Sequence, residues 1–275
     1  MNQYKNLKLQ NDKEILAVSL NRPQTLNAFS PELFDDLAAL CDELAETTEM
    51  RVVIFTGVGK GFSSGLDLKV FQQNAAQWTQ DDLRVLIRHW QETFNKVEAL
   101  PQITIAAING VCLGAGLEMI LACDFRVCSS RATLALPEAK LGIIPDLGGI
   151  TRLTRMVGPA WAKEVILRGR NVSAMEALRI GMVNRVADPG DMPGIARNWA
   201  QQFCKLPFKA LSHSKKLINA AYDTQLPQAL KAAEYAQLQL LASEEFRNAV
   251  AAMQKPSNES EESQEMMEPI ETSQV

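Results

Sequence analysis

The sequence predicts an α/β protein in which strand–strand–helix units repeat along a coiled stack and an all-helical region closes the chain. Three observations carry that prediction. Short, almost wholly apolar runs recur along the first two-thirds, and small-residue loops follow the first two. Apolar helical patterns come after these runs. From about Pro193 to Met253 the pattern is helical, with breaks near Pro207 and Pro227.

In chain order, residues 4–23 (YKNLKLQNDKEILAVSLNRP) alternate apolar and polar side chains on both sides of Asn11-Asp12, a hairpin signature with its turn at that pair. Ser30, Pro31 and Glu32 supply an N-cap, a proline at the first helical position and an early acid. Leu33, Phe34, Leu37, Leu40, Cys41 and Leu44 follow at helical spacing as one core-facing stripe. RVVIFTG reads as a buried strand, and GVGKGFSSGLDL as a glycine-rich loop leading into a helix. A long helix is expected from Thr79 to Leu100, with Thr79 as cap, Asp81 and Asp82 in the first turn, and Pro101 as stop. The pattern then repeats as strand PQITIAAI, loop NGVCLGAG and helix LEMILAC. A third round has FRVCSS and ATLALPE as short strands and GGITRLTRMVG as a helix. Ser173 to Glu176 has capping-box spacing, Gly181 stops that helix, and VNRV is the last strand.

The 275 residues, 47% hydrophobic and 22% charged, suffice for one large domain or one domain with an appendage. No run of about 18 apolar residues could span a bilayer, and MNQYKNLKLQ has no apolar signal core. Five cysteines, an odd number mostly in apolar runs, read as reduced, buried thiols of a cytoplasmic protein. The net charge of -4 is concentrated in residues 256–275, which hold six Glu and no Lys or Arg; without them 28 basic residues face 26 acidic ones. That polar tail is expected to be disordered. The body shows no basic stripe with interleaved aromatics, so nucleic acid is not an expected partner.

Three motifs could carry chemistry. In NGVCLGAGLEMILACD, Glu118 is the only acidic or basic side chain between Val111 and Cys123, cysteine thiols aside, and it follows Gly114, Ala115 and Gly116. Loop N–H groups at a helix start favour negative charge, and small residues admit a ligand close to the backbone. The competing reading is a favourable first-turn acid beside close-packing glycines. In GFSSGLDL a second loop offers the Leu66 N–H, and two such donors on one oxygen would form an oxyanion hole. The same loop satisfies G-x-S-x-G, the nucleophile elbow of serine hydrolases. However, six residues separate Ser63 from the strand-like run ending at Thr56, and the two histidines, His89 and His213, sit in helical patterns. In LPEAKLGIIPDLGG, Glu138 follows a strand-like run and Asp146 lies between Pro145 and a Leu-Gly-Gly turn. Buried carboxyls with like-charged neighbours can divide acid and base roles near neutral pH. No histidine accompanies these acids and no calcium-loop spacing is present, so no metal is expected.

Taken in order, LNRPQTLNAFS, FTGVGKGFSSGLDL, AAINGVCLGAGLEMILACD and LPEAKLGIIPDLGGITRL resemble the crotonase superfamily, the enoyl-CoA hydratases and isomerases, over residues 5–255. The resemblance implies a crotonase-like spiral of ββα units in residues 1–195 holding an acyl-CoA site. It also implies a C-terminal helical oligomerisation region in 196–255, and homotrimers or dimers of trimers. The substrate would be an acyl-CoA thioester, with coenzyme A as part of the substrate and no separate cofactor. Position by position, the backbone N–H groups of Leu66 and Ala115 would be the oxyanion donors, alanine standing where hydratases commonly have glycine. Glu118 and Glu138 match the two hydratase glutamates. Arg22, Ala28, Ser64, Gly65, Leu66, Asp67, Leu68, Lys69 and Gly114 would lie along the CoA path. Asp146 stands where many hydratases have glycine and where dienoyl-CoA isomerases and some enoyl-CoA isomerases have an acid, whereas the position of Glu118 is usually Asp in dienoyl isomerases. The hydratase is therefore the leading reading. An isomerase using Glu138 and Asp146 is the alternative, and a non-catalytic binding protein of this fold is more remote, since the carboxylates are retained.

Overall fold

Strands and helices alternate as the periodicity requires. The strands are β1 (Leu7–Asp12), β2 (Ile15–Leu20), β3 (Val52–Gly57), β4 (Gly61–Ser63), β5 (Ile103–Ile108), β6 (Val111–Leu113), β7 (Phe125–Ser129), β8 (Thr133–Ala135), β9 (Val172–Ser173) and β10 (Arg185–Ala187). The helices are α1 (Pro31–Glu46), α2 (Leu68–Asn74), α3 (Gln80–Ala99), α4 (Ala115–Leu121), α5 (Gly149–Ile166), α6 (Ala174–Arg179), α7 (Met192–Cys204), α8 (Phe208–Ala220), α9 (Leu226–Leu241) and α10 (Glu244–Met253). This computed structural model describes residues 3–74 and 77–253. The expectation for residues 256–275 falls outside them.

Two sheets result. The larger has the order β1-β2-β3-β5-β7-β10, the smaller β4-β6-β8-β9. From β2 onward the large sheet is parallel, and β4, β6 and β8 are parallel to one another. Each turn of the chain thus lays one strand in the large sheet and the next in the small one, giving the expected spiral of ββα units. Side chains on β3 and β5 alternate faces. Val52, Ile54, Ile103, Ile105 and Ala107 pack under α7 through Met192, Ala196 and Ala200. Val53, Phe55, Ala106 and Ile108 face the main core shared with α1, α3, α4 and the small sheet.

The α1 stripe is buried as its spacing requires, and Thr79 caps α3 reciprocally with Asp82. Other local expectations shift. The N-terminal turn is Lys13-Glu14, because Asp12 pairs with Ile15 and Asn11 with Leu16. Burial of Leu7 against Leu16, Val18 and Leu20 fixes the register over the turn propensity of Asn11-Asp12. Strands β4 and β6 lie inside segments that read as loops; three residues are too few for a periodic signal. The Ser30 hydroxyl makes no capping bond to α1. Ser173 Oγ accepts from Glu176 N, but the Glu176 carboxylate binds Arg170 rather than completing a capping box.

The chain divides into two compact units, Met1–Asp223 and Thr224–Val275. In the second, α9 and α10 are separated at Ser243, whose Oγ accepts from Phe246 N, a break that no proline announces. All five cysteines are free thiols, four buried and Cys204 partly so. No helix among the described residues is long and apolar enough to cross a membrane.

Phe34 joins α1 to α3 in an aromatic cluster, with ring centroids 4.8 Å from Trp90, 4.9 Å from Phe29 and 5.4 Å from Phe94. Phe34→Ala is expected to lower unfolding free energy by about 3–5 kcal/mol in urea denaturation, because removing this fully buried ring leaves a cavity in the core.

Candidate active site

The small sheet sets the site. Ser63 of β4 lies beside Cys112 of β6, Cys112 beside Leu134 of β8, and Leu113 beside Ala135. Because the three strands are parallel, the residues just past their carboxyl ends emerge together. They are Gly65-Leu66, Gly114-Ala115 and Pro137-Glu138. Ligands of α/β sheets commonly bind at this end of the strands.

Two N–H groups stand on these adjoining loops. Phe29 N–H donates to Gly65 O at 2.7 Å and Asp67 N–H to Phe29 O at 2.8 Å. In such a parallel bridge the N–H of the intervening Leu66 points away from Phe29. Ala115 opens α4, so its N–H has no acceptor within the helix. Gly65 and Gly114 precede these donors at φ 98 and 50, left-handed backbone that favours glycine. The loops are in contact, since a Cβ on Gly65 would come 3.1 Å from Leu113 O and 3.6 Å from Gly114 Cα.

Glu118 lies in the first turn of α4 and is only 2% exposed. Its Oε1 accepts from Leu147 N at 2.8 Å and Gly149 N at 2.9 Å. Gly149 is the first residue of α5, so the positive end of that helix faces the carboxylate. A Cβ on Gly149 would lie 2.8 Å from Glu118 Cγ and Oε1, which restricts this position to glycine. Burial pushes the Glu118 carboxyl up to about 8; the Gly149 bond opposes that, Glu138 and Asp146 add to it, and the Leu147 bond opposes it again. Glu138 starts the short 3-10 turn Glu138–Leu141. Its carboxyl is raised by burial and by Asp146, and its buried Oε2 has no hydrogen-bond partner among the described residues. A Cβ on Gly114 would sit 2.9 Å from Glu138 Oε1, so this carboxylate stands against the Ala115 loop. Asp146, partly buried, is also raised by burial. The carboxyls of both expected pairs, Glu118 with Glu138 and Glu138 with Asp146, are therefore neighbours, and Glu138 and Asp146 both act on Glu118.

The candidate CoA residues fall in two groups. Arg22 Nη2 bonds Asp67 Oδ2 at 3.0 Å and Nη1 donates to Ala28 O, which ties these three together beside the Leu66 loop. Ser64 Oγ donates to Thr25 O at 2.9 Å, while Leu68 and Lys69 open α2 in exposed positions. The hydrolase elbow is absent in substance. Ser63 is buried and accepts from Gly65 N, and His89 pairs with Asp35 at 2.8 Å on the surface. Sequence reasoning missed the Leu147 and Gly149 donors; the Leu-Gly-Gly turn before a helix was their signal.

Two backbone donors beside adjoining carboxyls of raised affinity for protons are the chemistry that carbonyl activation coupled to proton transfer requires. A family model for enoyl-CoA hydratase/isomerase matches residues 10–260. The chain is 32% identical over 249 residues to a short-chain-enoyl-CoA hydratase of Clostridium acetobutylicum, spanning 90% of this chain and 94% of that one. It is 36% identical over 192 residues to a mitochondrial Δ(3,5)-Δ(2,4)-dienoyl-CoA isomerase of Dictyostelium discoideum, spanning 66% of each. The crystal structure of an enoyl-CoA hydratase from Bacillus anthracis superposes with a TM-score of 0.85 at 33% identity, covering 90% of this chain and 96% of that one. The protein belongs to the enoyl-CoA hydratase/isomerase family.

A carboxyl whose pKa is raised on folding binds its proton more tightly in the folded state. Its contribution to stability is full below pH 4.5 and is lost as pH rises through about 8. Glu118→Gln keeps an acceptor for Leu147 and Gly149 but cannot ionise. Its melting temperature is therefore expected to gain on the wild type between pH 5 and 9, by an amount worth a few kcal/mol. Parallel melting curves across that range would show that Glu118 does not titrate in this way.

Proposed function

We propose that the protein is an enoyl-CoA hydratase, adding water across the 2,3 double bond of an enoyl-CoA thioester. The thioester oxygen takes the N–H groups of Leu66 and Ala115, which stabilise the enolate-like charge as oxygen adds at C3. Loss of one such donor is worth about 3 kcal/mol of barrier, on the order of a hundredfold in rate. Glu118 and Glu138 hold the water between them; one removes its proton as the other delivers a proton to C2, and the two titrate as a coupled pair. Arg22, Ala28 and the segment from Ser64 to Lys69 flank the CoA moiety, next to the Leu66 donor. The observation that carries this reading is Glu138 Oε2, a buried acceptor with no partner among the described residues, on a carboxyl adjoining both the Ala115 loop and the Asp146 turn that holds Glu118. The trimeric or hexameric assembly that accompanies it would use apolar side chains that α9 exposes, such as Leu226, Leu230 and Leu238.

A second reading draws on Asp146, whose raised proton affinity and position beside Glu138 suit an isomerase that shuttles a proton along the acyl chain. Incubation with crotonyl-CoA and with a 3,5-dienoyl-CoA separates the two. Hydration of crotonyl-CoA is expected, and Glu118→Gln or Glu138→Gln is expected to slow it at least about 100-fold, with Asp146→Asn retaining it. Undiminished hydration in either glutamine variant removes the hydratase mechanism. Turnover of the dienoyl substrate alone, lost in Asp146→Asn, selects the isomerase.

A further inference from the structure

The turn that aims two N–H groups at Glu118 is held from behind. Gln91 Nε2 donates to Asp146 O at 2.8 Å. That carbonyl belongs to the same planar trans peptide unit as the Leu147 N–H, so its oxygen and hydrogen point in opposite directions. Drawing the oxygen toward α3 therefore directs the hydrogen toward Glu118 Oε1. The Arg152 side chain holds the next unit, its Nη1 donating to Leu147 O at 3.1 Å. The unit after it, which carries the Gly149 N–H, is held by the first main-chain bond of α5, from Arg152 N–H to Gly148 O at 2.9 Å, so the guanidinium fixes the peptide between the two donors. The guanidinium is itself fixed. Nε and Nη2 reach Glu98 Oε2 at 3.2 and 2.8 Å, and Nη2 reaches Asn95 Oδ1 at 2.7 Å. Gln91, Asn95 and Glu98 stand at i, i+4 and i+7, one face of α3. The Arg152 side chain is only 10% exposed, and a Cβ on Gly148 would overlap it.

We propose that Gln91 and Arg152 are positioning residues for Glu118: they fix the Asp146–Gly149 turn so that the Leu147 and Gly149 N–H groups remain aimed at one carboxylate oxygen. The kinetic half of this inference rests on the hydratase reading, the structural half does not. The charged groups that bear on Glu118 are Glu138 from the 3-10 turn and Asp146 from the donor turn, with the Arg152 guanidinium behind that turn. Gln91→Met removes the bond to Asp146 O without altering any of these charges. A change in Glu118 titration in that variant therefore reports geometry. The donor bonds oppose the effect of burial on Glu118, so loosening them moves its midpoint upward.

The test is a carbon-detected NMR titration of the Glu118 side-chain carboxyl in the full chain, for wild type, Gln91→Met and Arg152→Lys. It is paired with crotonyl-CoA kinetics and melting curves. A higher midpoint in both variants is expected, with kcat reduced about 10-fold or more and KM changed less than about threefold. Added to Glu118→Gln, Gln91→Met is expected to cause no further loss, because both act through one carboxylate. A Glu118 midpoint equal to wild type, in whichever variant melts like wild type, overturns the inference, as does a fully additive loss in the double variant. If the wild-type chain hydrates no enoyl-CoA, the hydratase reading fails, and the titration midpoints alone decide the positioning role.

Discussion

Oε1 of Glu118 accepts two main-chain hydrogen bonds inside an apolar shell, and much of the surrounding architecture is what keeps those bonds in place. A carboxylate moved from water into such a shell without partners would take up a proton or destabilise the fold. Here the start of α5 supplies the partners, and glycine at 149 lets the helix approach closely enough to do so. The other end of α4 is anchored too. Arg126, 5% exposed, donates to Cys123 O and Ile120 O at the end of α4 and to Met182 O beyond it. Glu118 is thus carried on a short helix secured at both ends. Its carboxyl sits where burial favours the protonated form while two main-chain donors still stabilise the ionised one.

Register in the small sheet does the rest. Three parallel strands of three residues each are too short to contribute much stability alone. Their alignment, however, delivers the Leu66 loop, the Ala115 loop and Glu138 at one edge. Gly114 N–H donates to Ala135 O at 2.9 Å, so the ladder continues directly into the donor loop. A slip of one residue in β6 against β8 would turn that loop's pattern of donors and side chains to the opposite face. The buried residues of these strands, Phe62, Cys112 and Leu134 among them, oppose such a slip.

Much of this was legible in the residues. Apolar runs marked β3 and β5, the α1 stripe announced which face is buried, and cap, first-turn acids and following proline marked α3. A lone acid among apolar neighbours singled out Glu118, and the glycine-rich loops singled out their N–H groups. The short strands β4 and β6 were not legible, because a three-residue strand has no measurable period. The turn at Lys13-Glu14 was misplaced for a related reason. Local turn chemistry competed with a register that only tertiary burial decides. The partners of Glu118 were hidden for a third reason, since Leu147 and Gly149 act through main-chain atoms that every residue except proline possesses. Gln91 and Arg152 lie 55 and 5 residues from the carbonyls they hold, and no spacing rule connects them.

Each turn of the spiral contributes one part to the site. The first provides the Leu66 loop and α3, the second Ala115 and Glu118, and the third Glu138, Asp146 and the N–H groups of Leu147 and Gly149. Asp146 and the Leu147 donor are consecutive residues, so the peptide that fixes one partner of Glu118 also fixes the position of the third carboxyl. Moving that acid toward the acyl chain would disturb the bond that tunes Glu118, and strengthening that bond would constrain where the acid can reach. Water addition and double-bond migration need the same activated carbonyl and differ in which carboxyl meets which carbon. In this chain the same turn carries Asp146 and both main-chain donors to Glu118, and α3, which contributes no titratable group to the three-carboxyl cluster, holds that turn through Gln91.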